Sequence, residues 1–262
     1  MTVPGQDLVR YNSFGMTTSF GMTTLRPRTA ACSFPDMDPN LIQFHAIEKD
    51  WVPAPYPAIK AIPDWYKDLA GAFQLPGVRG NVRTVKQCPP FLDALTSGYI
   101  IPLCGDVHFV RDAAGELTFE CPNGDTSIET HHLSQVAGSP WDGAPIVKFM
   151  NPWVIVTPPG YSTLFLPPLN RTSILFNVLA GVVDTDSFYS QVNFPAACLM
   201  PPGSRCTLKR ETPLVQVIPF KREDWQSQTW HADAYRLGEF DRQFAHSHHA
   251  YREQSHRRKS FG

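Results

Sequence analysis

Three places in this 262-residue chain hold residue types whose spacing suits chemistry. The first is Glu129-Thr-His131-His132. Neighbouring side chains on a strand point to opposite faces, so only one of the two histidines can face inward. Glu129 shares a face with His131. Two ligands at i and i+2 on a strand, plus a distant third, is how a jelly roll builds a non-haem iron site. The order here is Glu-x-His rather than His-x-carboxylate, and a solvated polar strand end would read the same way. The second place is Asp184-Thr-Asp186, entered from the apolar pair Val182-Val183. Both carboxylates face one side if the strand continues, and hard cations favour such oxygen pairs. A turn capped by aspartate is the plainer alternative.

The third place is Arg171, at the end of the apolar stretch 148–171. A guanidinium fixed there is expensive without a partner. It can clamp a substrate carboxylate through two parallel hydrogen bonds, or pair structurally with an aspartate such as Asp184. Lys148 and Arg83 are further cations. His108 lies among Cys88, Cys104 and Cys121 and could activate a thiol, although buried inert cysteine is the commoner state. His231-Ala-Asp233 is the literal His-x-Asp. It falls after the last apolar strand, where a solvated helix face is the better account, and the same holds for His246, His248, His249 and His256.

The elements that must position these residues are mostly strands. Twenty-five prolines break up long helices and favour short strands joined by turns. Strands are expected at 81–87, 99–103, 107–110, 117–120, 128–132, 145–149, 153–156, 163–166, 173–183 and 214–220. Asp112-Ala-Ala-Gly115 makes 107–110 and 117–120 a hairpin. Thr157-Pro-Pro-Gly160 reads as a type II turn between two further paired strands, with Gly160 taking the positive φ. Gly181 marks a bulge within 173–183. Short helices are expected at 63–69 and 89–97, each with proline in its first turn and glycine just past its end. From about Gln226 the pattern changes. Leu237, Phe240, Phe244 and Tyr251 share a helical face amid charged and polar residues, so an amphipathic helix docks on the barrel or on a partner.

The expected fold is therefore all-β, a jelly roll or double-stranded β-helix barrel. Short N-terminal helices precede it and a C-terminal amphipathic helix closes it. The expected division is a flexible leader 1–34, a β-barrel domain 35–225 and a helical tail 226–262. The leader contains a tandem copy, Ser13-Phe-Gly-Met-Thr-Thr18 and Ser19-Phe-Gly-Met-Thr-Thr24, too short for a solenoid.

Several motifs carry a resemblance. They are Pro63-Asp-Trp-Tyr-Lys67, Cys88-Pro-Pro-Phe-Leu-Asp-Ala-Leu-Thr-Ser-Gly-Tyr-Ile-Ile-Pro102, Asn151-Pro-Trp153, Thr157-Pro-Pro-Gly-Tyr161, Val182-Val-Asp-Thr-Asp186 and Gln216-Val-Ile-Pro-Phe-Lys-Arg-Glu-Asp-Trp225. Together they resemble a domain-of-unknown-function family shared by bacteria and tailed phages, over roughly residues 60 to 225. The resemblance implies one compact domain and no particular activity.

A net charge of -1 does not call for nucleic acid or a membrane as partner. No apolar run approaches the ~20 residues of a span, and no apolar signal segment opens the chain, so a cytoplasmic protein is expected. The leading functional expectation is a metal-dependent oxygenase acting on a small molecule or peptide. His131 or His132, with Glu129, Asp184 and Asp186, would hold iron(II), while Arg171 and His108 would act on the substrate. A non-catalytic, phage-derived structural or binding module is the second expectation, with a homo-oligomer formed through the C-terminal helix. A jelly-roll isomerase or lyase is the third.

Overall fold

The computed structural model describes residues 37–46, 51–122, 124, 128–171, 175–246 and 250–261, with 244–246 described in backbone only. The chain divides into two compact units, Met1–Ala31 and Cys32–Gly262, and the described residues all lie in the second. The duplicated leader, the side chains of Phe244 and His246, and His248 and His249 lie outside the described residues.

The element order is β1 (Gln43–Ala46), β2 (Tyr56–Pro57), α1 (Asp64–Asp68), β3 (Ala72–Gln74), β4 (Asn81–Arg83), α2 (Pro89–Thr96), β5 (Tyr99–Pro102), β6 (Val107–Arg111), β7 (Leu117–Glu120) and β8 (Ile128–His131). It continues with β9 (Ile146–Phe149), β10 (Trp153–Val156), β11 (Tyr161–Leu166), β12 (Phe176–Val178), β13 (Gly181–Val183), β14 (Phe194–Cys198), β15 (Ser204–Leu208), β16 (Pro213–Lys221) and α3 (Ala234–His246). The fold is all-β with short helices. Among the described residues the strands form five open ladders, β1-β10, β13-β11-β16-β5-β2, β12-β14-β9-β8, β15-β6-β7 and β3-β4. Every pairing is antiparallel. Among the described residues no ladder closes on itself, so the expected closed barrel is corrected to a wrap of open sheets.

The core sits between these sheets. Phe109 of β6, Phe149 of β9 and Phe176 of β12 come from two different ladders and stack edge to face or tilted, with centroids 4.5 to 6.4 Å apart. Phe165 of β11 meets Phe194 of β14 in the same way. Aromatic pairs at such offsets contribute beyond the area they bury. All four residues of β10 are buried, which explains its continuous apolar run: both its faces are covered.

Two local expectations are corrected. The Thr157-Pro-Pro-Gly160 turn forms, with Gly160 at φ 85° and the Tyr161 amide donating to the Pro158 carbonyl. The flanking strands, however, do not pair with each other. β10 pairs with β1, while β11 pairs with β13 and β16, so the turn is a corner between sheets. Residues 173–183, read as one strand, hold two short strands in different ladders, and Gly181 opens the second rather than marking a bulge. The Asp112–Gly115 hairpin forms as expected, joining β6 and β7.

β16 is the longest described strand and the organising one. Pro219 would disrupt a central strand, because it has no amide to donate. Pairing with β5 runs only from Pro213 to Val217, so at Pro219 the strand has β11 alone beside it. Beyond Lys221 the chain runs without helix or ladder to α3, and the final segment returns to α2 and β5. There His256 and Lys259 reach Asp93, and the Phe261 ring stands edge-on to Tyr99. No described helix is long and apolar enough to cross a membrane.

Candidate functional site

The residues singled out for chemistry fall in separate places. His108 stands directly opposite Thr207 in the β6–β15 ladder, and its Nδ1 lies 2.8 Å from the Thr207 hydroxyl. Glu129 is opposite Lys148 in the β8–β9 register and forms an ion pair with it. His131 ends β8 on the edge of that sheet, opposite Ile146. His132 begins the turn of helix at Leu133–Val136, where its Nδ1 accepts from the Ser134 amide at 3.2 Å. Asp184 and Asp186 follow β13, which belongs to a different ladder. These side chains are not gathered into one site. Among the described residues no three histidine, cysteine, aspartate or glutamate side chains could together hold a metal ion.

The two aspartates do share one partner, and sequence reasoning missed it. Arg222, the residue after β16, reaches both carboxylates: Nη1 lies 3.3 Å from Asp184 and 3.1 Å from Asp186, and Nη2 pairs with Asp186. The same Nη1 donates to the Tyr161 carbonyl and to the Ser162 hydroxyl, which itself donates to Asp184 at 2.6 Å. The Gly160 amide donates to Asp186, and the Arg222 amide donates back to the Gly160 carbonyl. Burial alone would push the Asp186 carboxyl up. Arg222 and the Gly160 amide outweigh it, and the group is held below its ordinary range. Asp186 thereby holds Arg222 protonated as well, by the hydrogen bond they share. Beneath this cluster the buried hydroxyls of Thr157, Thr185 and Thr163 form a chain with 2.7 Å links. The signal in the sequence was a run of charge, Lys221-Arg222-Glu223-Asp224, which reads as the solvated end of a strand.

Arg171 found its partners among backbone carbonyls. Nε donates to Ala61, and Nη2 donates to Ala58 and Leu95. Leu95 is in the last turn of α2, where orphan carbonyls and the negative end of the helix dipole favour a cation. Burial pulls the guanidinium down from its ordinary value, with Tyr56 acting in the opposite sense. Arg171 Nη1 is buried without a hydrogen-bond partner. Gln216 works alongside it. Wholly buried, it donates to the carbonyls of Ala94 and Ser97 and accepts from the Leu169 amide. The two side chains tie the Pro167–Arg171 corner to α2.

That corner forms one wall of a cleft of about 730 Å³. Its apolar walls include Trp65, Pro167, Pro168, Leu169, Pro213 and Leu214, with Arg171 at one side. Trp65 is 47% exposed and stands edge-on to Phe91 and Tyr66. A space of this size and lining suits an aromatic or aliphatic group better than an ion.

The segment after Arg222 is the most exposed aromatic surface described. Trp225 is 86%, Trp230 84% and Tyr235 76% accessible. Leu237 and Phe240 on α3 are about half exposed. His231 and Asp233 lie in the same exposed segment, and Asp233 caps α3 by accepting from the amides of Tyr235 and Arg236.

No family model and no curated protein sequence matches the chain. Among solved structures it is similar to a mutant dUTPase from phage phi11 of S. aureus, at 8% identity over 74% of this chain and 97% of that one, with a TM-score of 0.36. A mutant dUTPase of Staphylococcus bacteriophage 80alpha gives 10% identity over the same shares and a TM-score of 0.34. The EIAV dUTPase gives 9% identity over 52% of this chain and 85% of that one, with a TM-score of 0.31. Likenesses at these scores carry no argument about what this chain does.

Proposed function

We propose that this chain is a non-catalytic binding module, a jelly-roll-type scaffold that docks on a protein partner through the segment following β16. One observation carries the reading: two tryptophans and a tyrosine stand almost fully in water on a segment whose base is clamped by Arg222. Trp and Tyr dominate the energetics of protein interfaces, and a soluble chain rarely exposes them together without a use. The clamp and the return contacts at Asp93 fix both ends of the segment, which lowers the entropy lost on docking.

An oxygenase, or a jelly-roll lyase, would draw on His131, Glu129, Asp184 and Asp186 acting together. Lys148 engages Glu129, and Arg222 engages both aspartates, so the side chains that would make such a centre already serve the scaffold. The binding reading uses them as they stand. A photo-crosslinking residue at Gln228 tests it in cells. The full chain is expected to yield discrete crosslinked products that vanish in a folded W225S/W230S variant. Products that persist in the variant would defeat the reading.

A further inference from the structure

We propose that the partner is a second copy of this chain, and that the cleft beside Trp65 receives the aromatic segment of its neighbour. This rests on the binding reading above and names its occupant. Three observations carry it. The first is complementarity within one molecule. Exposed indoles at Trp225 and Trp230 lack cover, and an apolar, proline-walled cleft of about 730 Å³ stands open with an exposed tryptophan on its wall. An indole seated against prolines and Trp65 buries its apolar body; the Trp225 N–H can then meet a corner carbonyl, while the Trp230 N–H donates to Gln228 at 3.2 Å.

The second observation is placement. The cleft lies at the start of β16, against Pro213 and Leu214, whereas the aromatic segment leaves from the other end, after Lys221. Nine residues of strand separate the two by roughly 30 Å. Trp225 is only four residues beyond Lys221, about 13 Å of extended chain, so it does not reach back to its own cleft, and Trp230, whose nine residues span about 30 Å at full extension, stands 84% exposed rather than seated there. A neighbour's cleft has no such restriction. The third is area. The exposed parts of Trp225, Trp230, Tyr235, Leu237 and Phe240 amount to roughly 700 Å². A stable interface needs about 800 Å² from each partner, so this segment alone supplies most of one side.

The contact joins two different surfaces, so it is heterologous and generates a ring or a chain of copies. The test is the mass of the 29.4 kDa full chain by light scattering across a concentration series. The expected result is assembly that W225S/W230S abolishes and that W65R in the cleft also abolishes. Leu169→Glu is a second cleft variant should W65R fail to fold. Mixing the segment variant with a cleft variant restores one good contact and is expected to give a species of twice the chain mass. Assembly that survives both cleft variants, or no dimer on mixing, overturns the cleft as receptor while leaving the segment's docking intact. A full chain that stays monomeric overturns the second copy as partner. Assembly untouched by W225S/W230S overturns this inference, and the crosslinking experiment then judges the binding reading separately.

Discussion

At the scale of single residues, the polar groups in this fold are defined by what they hold together. Asp186 is the clearest case, with its side chain only 10% exposed and Arg222 against it. Its folded carboxyl lies below its unfolded value, so its contribution is fully present above the ordinary carboxylate range. That contribution is lost as the pH falls through the folded value. Asp186→Asn keeps an acceptor for the Gly160 amide but removes the charge opposite Arg222. The expected loss is about 2 kcal/mol at neutral pH, a fall in Tm of roughly 6 °C for a chain of this size. The gap between wild type and variant should narrow as the medium is acidified. A gap that stays constant to acid pH would show that the charge is not what matters. The carboxylates were legible in the sequence because acid after an apolar strand is a local pattern. Their partner was not. Arg222 lies 36 residues from Asp186, and nothing local distinguishes it from any charge at a strand end. Arg171 was legible as a residue needing a partner, but three carbonyls from two helical turns leave no mark on sequence spacing.

At the scale of elements, strand positions were largely readable and strand partners were not. Period and turn chemistry located β5 through β11 and the helices α1 and α2. They missed the short β1, β2 and β3, and also β14 and β15, whose small and polar residues in Phe194–Cys198 and Ser204–Leu208 lack a sustained apolar alternation. Pairing failed at the Thr157–Gly160 corner, because a turn's local geometry does not say whether its strands stay in one sheet or switch between two. The decisive constraint there is tertiary, and Gly98 shows one of the same kind. It joins α2 to β5 at φ 70°, and an added Cβ would sit 2.0 Å from the Val217 carbonyl oxygen of β16. Gly160 also has positive φ, but nothing lies within 4 Å of its would-be Cβ. Alanine at position 160 therefore bears only the left-handed penalty of about 1–2 kcal/mol. Gly98→Ala bears that penalty and must also push α2 and β5 away from β16, so its loss should exceed that of Gly160→Ala by at least about 1 kcal/mol. Urea midpoints of the two variants measure the difference, and equal midpoints would mean that β16 does not pack as closely on this connection as the contact requires.

At the scale of the molecule, the described residues that follow β16 are tied down at two places. Arg222 anchors the departure and Asp93 the return, with His256 at 3.1 Å and Lys259 at 2.6 Å from its carboxylate. Burial would push the Asp93 carboxyl up, but hydrogen bonds from Lys259 and His256 outweigh it and hold the group below its ordinary range. The return contact is therefore at full strength above the ordinary carboxylate range and weakens as the pH falls through the folded value. Both partners are partly solvated, so solvent screening keeps the whole contact to about 1.4 kcal/mol, which is a tenfold change in the ratio of released to docked chain end. Asp93→Asn should release the end of the chain at neutral pH without unfolding the sheets. Trypsin cleavage after Arg252, Arg257 and Arg258 should then quicken about tenfold, while hydrogen exchange across β16 stays unchanged. In the wild type the same quickening should appear only in acid, where a protease active at low pH replaces trypsin. An aromatic segment freed at one end loses part of its preorganisation, so the variant should also dock on its partner more weakly than wild type, although no docking residue has been altered. Equal cleavage rates in variant and wild type would mean that the Phe261 contact on Tyr99, rather than the ion pairs, holds the chain end in place.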